Sequence, residues 1–281
     1  MTKESILITG SSGMLGRSLM RRIAAVGLPR SVLDIADHAA VAVALDAHHP
    51  RVLVNCAAFT AVDRCESETD TAFRVNAIGP LVLASACQRR GIRLIHISTD
   101  YVFAGNLDRP YHEWDDTGPR TAYGASKLAG EQAIRAHCPD HLILRTAWLY
   151  GPAGPSFVHT MLKLGAQAGP PLTVVADQYG NPTSTDALAD CIAGLLAIPI
   201  AGTFHASCAG ETTWHGFAQA IFARRPTSRG CAPCTSAQFP RPAQRPANSR
   251  LDKRALLLHG LPLLPDWRES LERFLSEYPH G

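Results

Sequence analysis

The chain has 281 residues, enough for one large domain or a domain with a smaller lobe. With 46% hydrophobic and 18% charged residues it has the balance of an ordinary globular protein. The formal charge of +3, scattered arginines and the absence of a basic run interleaved with aromatics exclude a nucleic-acid footprint, and no apolar run reaches membrane-spanning length.

The amino terminus passes from MTKES directly into a strand-like ILITG, with no leader pattern, so the expected setting is the cytoplasm. SILITG reads as a buried strand. It runs into TGSSGMLG, which spaces Gly10, Gly13 and Gly16 three apart before a helical run, RSLMRRIAAVG. Glycines between a strand and a helix permit a tight turn and let the backbone approach a pyrophosphate, which the helix N-terminus then holds. From Gly27 only LPRSV separates the first helix from LDIAD, so a full second strand is not expected there.

RVLVNCAA (51–58) reads as the next strand, the run 71–90 as helical, and RLIHIST (93–99) as a third strand. STDYVF (98–103) ends that strand and brings a Thr99 hydroxyl to the same edge as the glycines. TAYGASKLAGE follows on a helix, where Tyr123 and Lys127 stand four residues apart and share a face. An ammonium close to a phenol favours the phenolate, so the spacing describes a proton donor tuned toward working pH. HLILRTAWLYG is a fourth strand. Continuous Val/Ile/Leu strands separated by helices predict an α/β fold, a doubly wound parallel sheet whose ligands lie at the carboxyl ends of its strands.

After Gly151 the texture changes to Pro, Gly and Thr with shorter helices, read as a smaller lobe. The expected division is 1–150 plus about 171–198 for the dinucleotide, and 151–170 with 199–281 for the lobe. Arg224 to Arg250 is too polar and Pro-rich to predict a strand. Six of the eight cysteines sit in apolar or alanine-rich segments as buried thiols would. Cys231 and Cys234 form one CAPC, half a zinc site, and are expected in a loop. The twelve histidines form no spaced ligand cluster, and no metal site is expected.

Glycine loop, strand-end hydroxyl and Tyr-x-x-x-Lys in this order point to nicotinamide-dependent hydride transfer to a carbonyl. Over nearly its whole length the sequence resembles the extended short-chain dehydrogenase/reductases and, within them, the dTDP-4-dehydrorhamnose reductase family. The resemblance is carried by TGSSGMLG, NCAAFTAVDRCESE, STDYVFAG, YGASKLAGE, LRTAWLYG, DQYGNPT, FHASCAGETTWHGFA and RPANSRLD. It implies Thr99, Tyr123 and Lys127 as the catalytic trio, with Tyr123 as the acid and Lys127 lowering its pKa and holding the nicotinamide ribose. It implies NADPH or NADH on Gly10, Gly13, Met14, Leu15, Gly16, Asp34, Ile35, Ala57, Ala58, Thr60, Tyr101, Tyr123 and Lys127. It implies a nucleotide sugar against Thr99, Tyr123 and Trp148, and a homodimer as one arrangement.

Asn248, Ser249 and Arg250 lie in a family motif with no contact assigned. Two departures stand out: the shortened second-strand region, where Arg30 is the nearest candidate for a 2′-phosphate, and Ser156, where relatives commonly carry asparagine. A 4-ketoreductase for another nucleotide-linked deoxysugar, and a non-catalytic regulatory subunit of this fold, remain as alternatives.

Overall fold

The computed structural model describes residues 6–225 and 227–278; Ser5 of the first expected strand and Pro226 of the Pro/Arg-rich segment lie outside them. Strands Ile6–Thr9 (β1), Val26–Leu28 (β2), Val52–Asn55 (β3), Arg93–Thr99 (β4) and His141–Thr146 (β5), with Gly202–His205 at one edge, form a six-stranded sheet. Its order from that edge is Gly202–His205, β5, β4, β3, β1, β2, and every pairing is parallel.

Side chains alternate along a strand, and here both faces are buried. Ile6, Ile8, Val52, Val54, Leu142 and Leu144 face a core that also holds Leu188, Phe217 and Trp267. Leu7, Leu53, Leu94 and Ile143 face a second core with Val41, Leu45 and Leu83. The chain leaves β1 outward to β2 and returns to β3 on the other side, so the switch point lies at the carboxyl ends of β1 and β3.

Four expectations are corrected. The first helix runs Met14–Arg22 and stops before Val26, which with Gly27 and Leu28 pairs with β1 (Leu7↔Val26, Thr9↔Leu28). A second strand is therefore present, shortened to three residues; β-branched Val26, Gly27 and the following Pro29 disfavour helix, while the sheet edge offers hydrogen bonds. Cys231–Cys234 is a strand, paired in parallel with Leu172–Val175, and Pro233 is accommodated in a two-stranded ribbon with little ladder to lose. The expected fourth strand breaks at Trp148 (φ 48°), after which Leu149–Tyr150 pairs with Thr183–Ser184. Residues 202–205, expected in the lobe, extend the main sheet beside β5.

Among the described residues no helix is long and apolar enough to cross a membrane.

Candidate active site

The glycine loop turns off β1 at Gly10, whose φ of +66° is a conformation that suits glycine. A Cβ on Gly10 would lie 2.6 Å from the Ala57 backbone nitrogen, and one on Gly16 would lie 2.3 Å from the Gly10 carbonyl oxygen. Both absences of a side chain let loop, helix and β3 end close together. Gly13 is the N-cap of the helix and supplies no side-chain cap, so the first-turn N–H groups face the loop without an internal partner. Met14 opens this helix, and Leu15 turns into the core. Ala57, Ala58 and Thr60 follow β3 at the same edge.

Asp34 accepts from the Ala36 N–H (3.0 Å) and from Arg74 Nη2 (2.5 Å). Burial works to raise its carboxyl, but these bonds and the Arg74 charge hold it below the usual range. Ile35 is buried in the second core.

Helix Ala122–His137 begins at Thr121, whose hydroxyl accepts from the Gly124 N–H at 3.0 Å. Tyr123, Lys127, Glu131 and Ile134 recur at helical spacing on its buried face. Thr99 ends β4; its hydroxyl donates to Asp100 Oδ1 (2.7 Å) and accepts from the Tyr101 N–H (3.2 Å). The Thr99 hydroxyl is close enough to the Tyr123 phenol to act on it, and the Tyr101 ring meets the Tyr123 ring edge-on at 5.5 Å. Burial lifts the Asp100 carboxyl to about 6.

Lys127 departs from the sequence expectation. Its Nζ donates to the Ile97 carbonyl (2.7 Å) and lies 3.1 Å from His96 Nε2, under β4. Burial lowers the ammonium to about 8. The phenol of Tyr123 is raised by burial, with only the Thr99 hydroxyl working the other way. Lys127 is not among the groups that lower the Tyr123 phenol, and its head group is tied to β4.

A cleft of about 540 Å³ opens beside Tyr101, between the turn after β4 and residues 236–247, with Arg120, Gln178, Arg241 and Arg245 on its walls. Arg245 Nη2 donates to Asp63 (3.0 Å), which also receives the Ala243 N–H, and so fastens the Pro/Arg-rich segment to the sheet half. Trp148 stacks face to face on Trp214 at 3.5 Å, donates Nε1–H to Ser249 Oγ (3.0 Å), and leaves room for no side chain at Gly180. The Asn248–Arg250 motif works within the protein. Asn248 Nδ2 donates to the Leu107 and Arg109 carbonyls, and Arg250 pairs with Glu211 at 3.0 Å. Ser156 caps helix Phe157–Gly165 by accepting the His159 N–H.

Thr99, Tyr101 and Tyr123 thus come together at the sheet edge that carries the glycine loop; Trp148 follows the end of β5, stacked on Trp214. Sequence reasoning did not single out Asn55, His96, Asp100, Trp214 or the Glu131–Arg145 pair. Polar residues inside the apolar strands VLVN and RLIHIST were the available signal. Among the described residues, no group of three or more His, Cys, Asp or Glu side chains is placed to hold a metal ion.

A parallel sheet with a glycine cradle at its switch point and a Tyr–Lys helix against β4 is the build of a short-chain dehydrogenase/reductase. Within that class the chain belongs to the family described as "RmlD substrate binding domain", whose model matches residues 4–279. It is 48% identical to a dTDP-4-dehydrorhamnose reductase of Streptomyces griseus over 94% of this chain and 91% of that one. It is 45% identical to a Streptomyces antibioticus protein named "Probable dTDP-4,6-dihydroxy-2-methyloxan-3-one 4-ketoreductase", over 94% and 92%. The structure matches that of a Bacillus anthracis dTDP-4-dehydrorhamnose reductase in complex with NADP at a TM-score of 0.94 and 37% identity, covering 97% and 98% of the two chains.

Proposed function

We propose that the protein reduces the C4 keto group of dTDP-4-dehydro-L-rhamnose with NADPH, giving dTDP-L-rhamnose and NADP. The observation that carries this reading is the Thr99–Tyr123 hydroxyl pair beside the glycine cradle, in a chain whose family includes such reductases. The cradle suits a dinucleotide because Gly10 and Gly16, where a Cβ would meet the backbone of Ala57 or Gly10, let the loop turn tightly onto the helix N-terminus that a pyrophosphate needs. The dihydronicotinamide supplies the hydride. Tyr123 gives its phenolic proton to the carbonyl oxygen as that oxygen becomes an alkoxide, and Thr99 holds the same oxygen by a hydrogen bond. Lys127 holds the nicotinamide ribose, and Met14, Asp34, Ala57, Ala58 and Thr60 line the cofactor's path. The arginines of the cleft, Arg120 and Arg241 among them, suit a substrate diphosphate. Arg30, exposed after β2, is the candidate for the 2′-phosphate.

In this reading the main sheet carries the cofactor and the remaining segments carry the sugar nucleotide. We place the chemistry in the cytoplasm, a reducing compartment that suits eight free cysteines. A homodimer belongs to the same proposal and is checked by light scattering on the purified protein.

The test is NADPH oxidation with dTDP-4-dehydro-L-rhamnose generated in place by the upstream dehydratase and epimerase, with NADH in parallel. Turnover supports the reading. Tight NADPH binding without turnover moves the assignment to another 4-keto deoxysugar, the reading that the 45% relative favours. Neither binding nor turnover returns the regulatory-subunit alternative.

Gly16→Ala is expected to weaken NADPH binding roughly 10- to 100-fold, the scale of about 1–3 kcal/mol for forcing a methyl into a closed contact. A fluorescence titration with an unchanged dissociation constant would remove the cradle from the cofactor site. Trp148→Ala is expected to raise the KM for the sugar nucleotide roughly tenfold through loss of the Trp214 stack, with the KM for NADPH nearly constant. The reverse ordering makes Trp148 a core residue.

A further inference from the structure

The register of the sheet lines up three polar residues on adjacent strands: Thr9 faces Asn55, and Asn55 faces His96. All three are buried, and their side chains form an unbroken row. Thr9 Oγ1 donates to Asn55 Oδ1 at 2.6 Å, Asn55 Nδ2 lies 2.9 Å from His96 Nδ1, and His96 Nε2 lies 3.1 Å from Lys127 Nζ.

The proton positions in this row follow from one backbone group. The Ala57 N–H donates to Asn55 Oδ1 at 3.1 Å, so the oxygen end of that amide is fixed and the NH2 end faces the histidine. An amide NH2 can only donate, which makes Nδ1 of His96 the acceptor. A neutral imidazole then carries its proton on Nε2, pointed at Lys127. An ammonium has no lone pair to receive that proton; an amine does. Lys127 at the same time donates to the Ile97 carbonyl, which an amine also does. We propose that His96 is a positioning residue whose Nε2–H faces Lys127 and favours its amine over its ammonium, through the row Thr9–Asn55–His96. The inference rests on the catalytic reading of Lys127: in its amine form, turned to β4, that head group offers the acid Tyr123 no charge.

The groups around Lys127 agree. Burial keeps His96 neutral, its proton affinity far below the usual value, and Cys56 is a neutral thiol raised by burial. Among the described residues Glu131, one helical turn on, is the carboxylate close enough to favour the ammonium. It is already bonded to Arg145, Arg135 and Ser98. Tyr123 lies one turn back, its phenol raised by burial.

The experiment needs no substrate or cofactor. The other lysines are Lys3, Lys163 and Lys253, so the Lys127 side chain is readily assigned in protein labelled with 13Cε-lysine, by its loss in Lys127→Met. The wild-type resonance is expected to titrate near 8, well below the ordinary 10.5. His96→Gln, which presents a carbonyl oxygen able to accept from an ammonium, is expected to raise the midpoint by about one unit or more. His96→Leu, which removes the Nε2–H but keeps the burial, is expected to raise it by a smaller amount. The His96 ring, read by two-bond 15N–13C correlations, is expected in the Nε2–H tautomer. A wild-type midpoint at the ordinary value, a His96→Gln midpoint equal to wild type, or an Nδ1–H tautomer would each overturn the proposal. Because these readouts are taken on free protein, they fail or succeed independently of the NADPH assay.

Discussion

Tyr123→Phe should lower kcat by roughly 10²- to 10⁴-fold, the contribution of a positioned general acid, while the NADPH dissociation constant moves by less than about tenfold. The ring is retained, so the edge-on contact with Tyr101 and the packing of the helix on β4 survive; only the hydroxyl is lost. In the proposed mechanism that hydroxyl is the proton source for the carbonyl oxygen, and the neighbouring candidates are poorly placed to replace it. The Thr99 proton is committed to Asp100, and the Lys127 head group is turned to Ile97 and His96. Steady-state rates with saturating sugar nucleotide, paired with a cofactor titration, decide the matter. Near-normal turnover would sink the acid assignment and move attention to Asp100, whose carboxyl burial brings to about 6.

Glu131→Ala is expected to destabilise the fold by about 3–5 kcal/mol, a large share of the ~5–15 kcal/mol that holds a typical protein together. Both Glu131 and Arg145 are buried, and Arg145 donates Nε (2.9 Å) and Nη2 (2.7 Å) to the two carboxylate oxygens. Ser98 adds a third bond at 2.6 Å. Removing the carboxylate strands a guanidinium that water cannot reach, so Glu131→Ala with Arg145→Met should recover much of the loss. Urea unfolding measures this; a single-variant loss below about 1 kcal/mol would show that water enters and solvates Arg145. Acid should act on the same pair. Burial raises the Glu131 carboxyl, but Arg145 and Ser98 outweigh it and leave the folded group below its ordinary 4.5. The stabilisation is therefore complete above that value, and is lost as the pH falls through the lower, folded one.

Much of the site is local in sequence, and that part was legible. Gly10 to Gly16 span a single turn between a strand and a helix, and Tyr123 and Lys127 share one helix face, so residue type and spacing carry the geometry by themselves. The β4 strand, 93–99, was readable from its apolar run for the same reason. The shortened second strand was harder. Three residues are too few to show a period, and helix and edge strand compete for Val26 and Gly27 until β1 is there to pair with them. Cys231–Cys234 is a strand only because Leu172–Val175 lies alongside it, and nothing within CAPC carries that partner.

The sequence by itself determined the class of fold, the order of its glycine loop, strand-end hydroxyl and Tyr–Lys helix, and through them the family. Tertiary structure decided what each of those groups touches. Spacing put an ammonium one turn from a phenol, but burial and the Ile97 carbonyl drew Lys127 toward β4, and the register of β1, β3 and β4 set Thr9, Asn55 and His96 behind it. A side chain's charge depends on which partners and how much water remain around it, and those partners arrive from strands far apart in the chain.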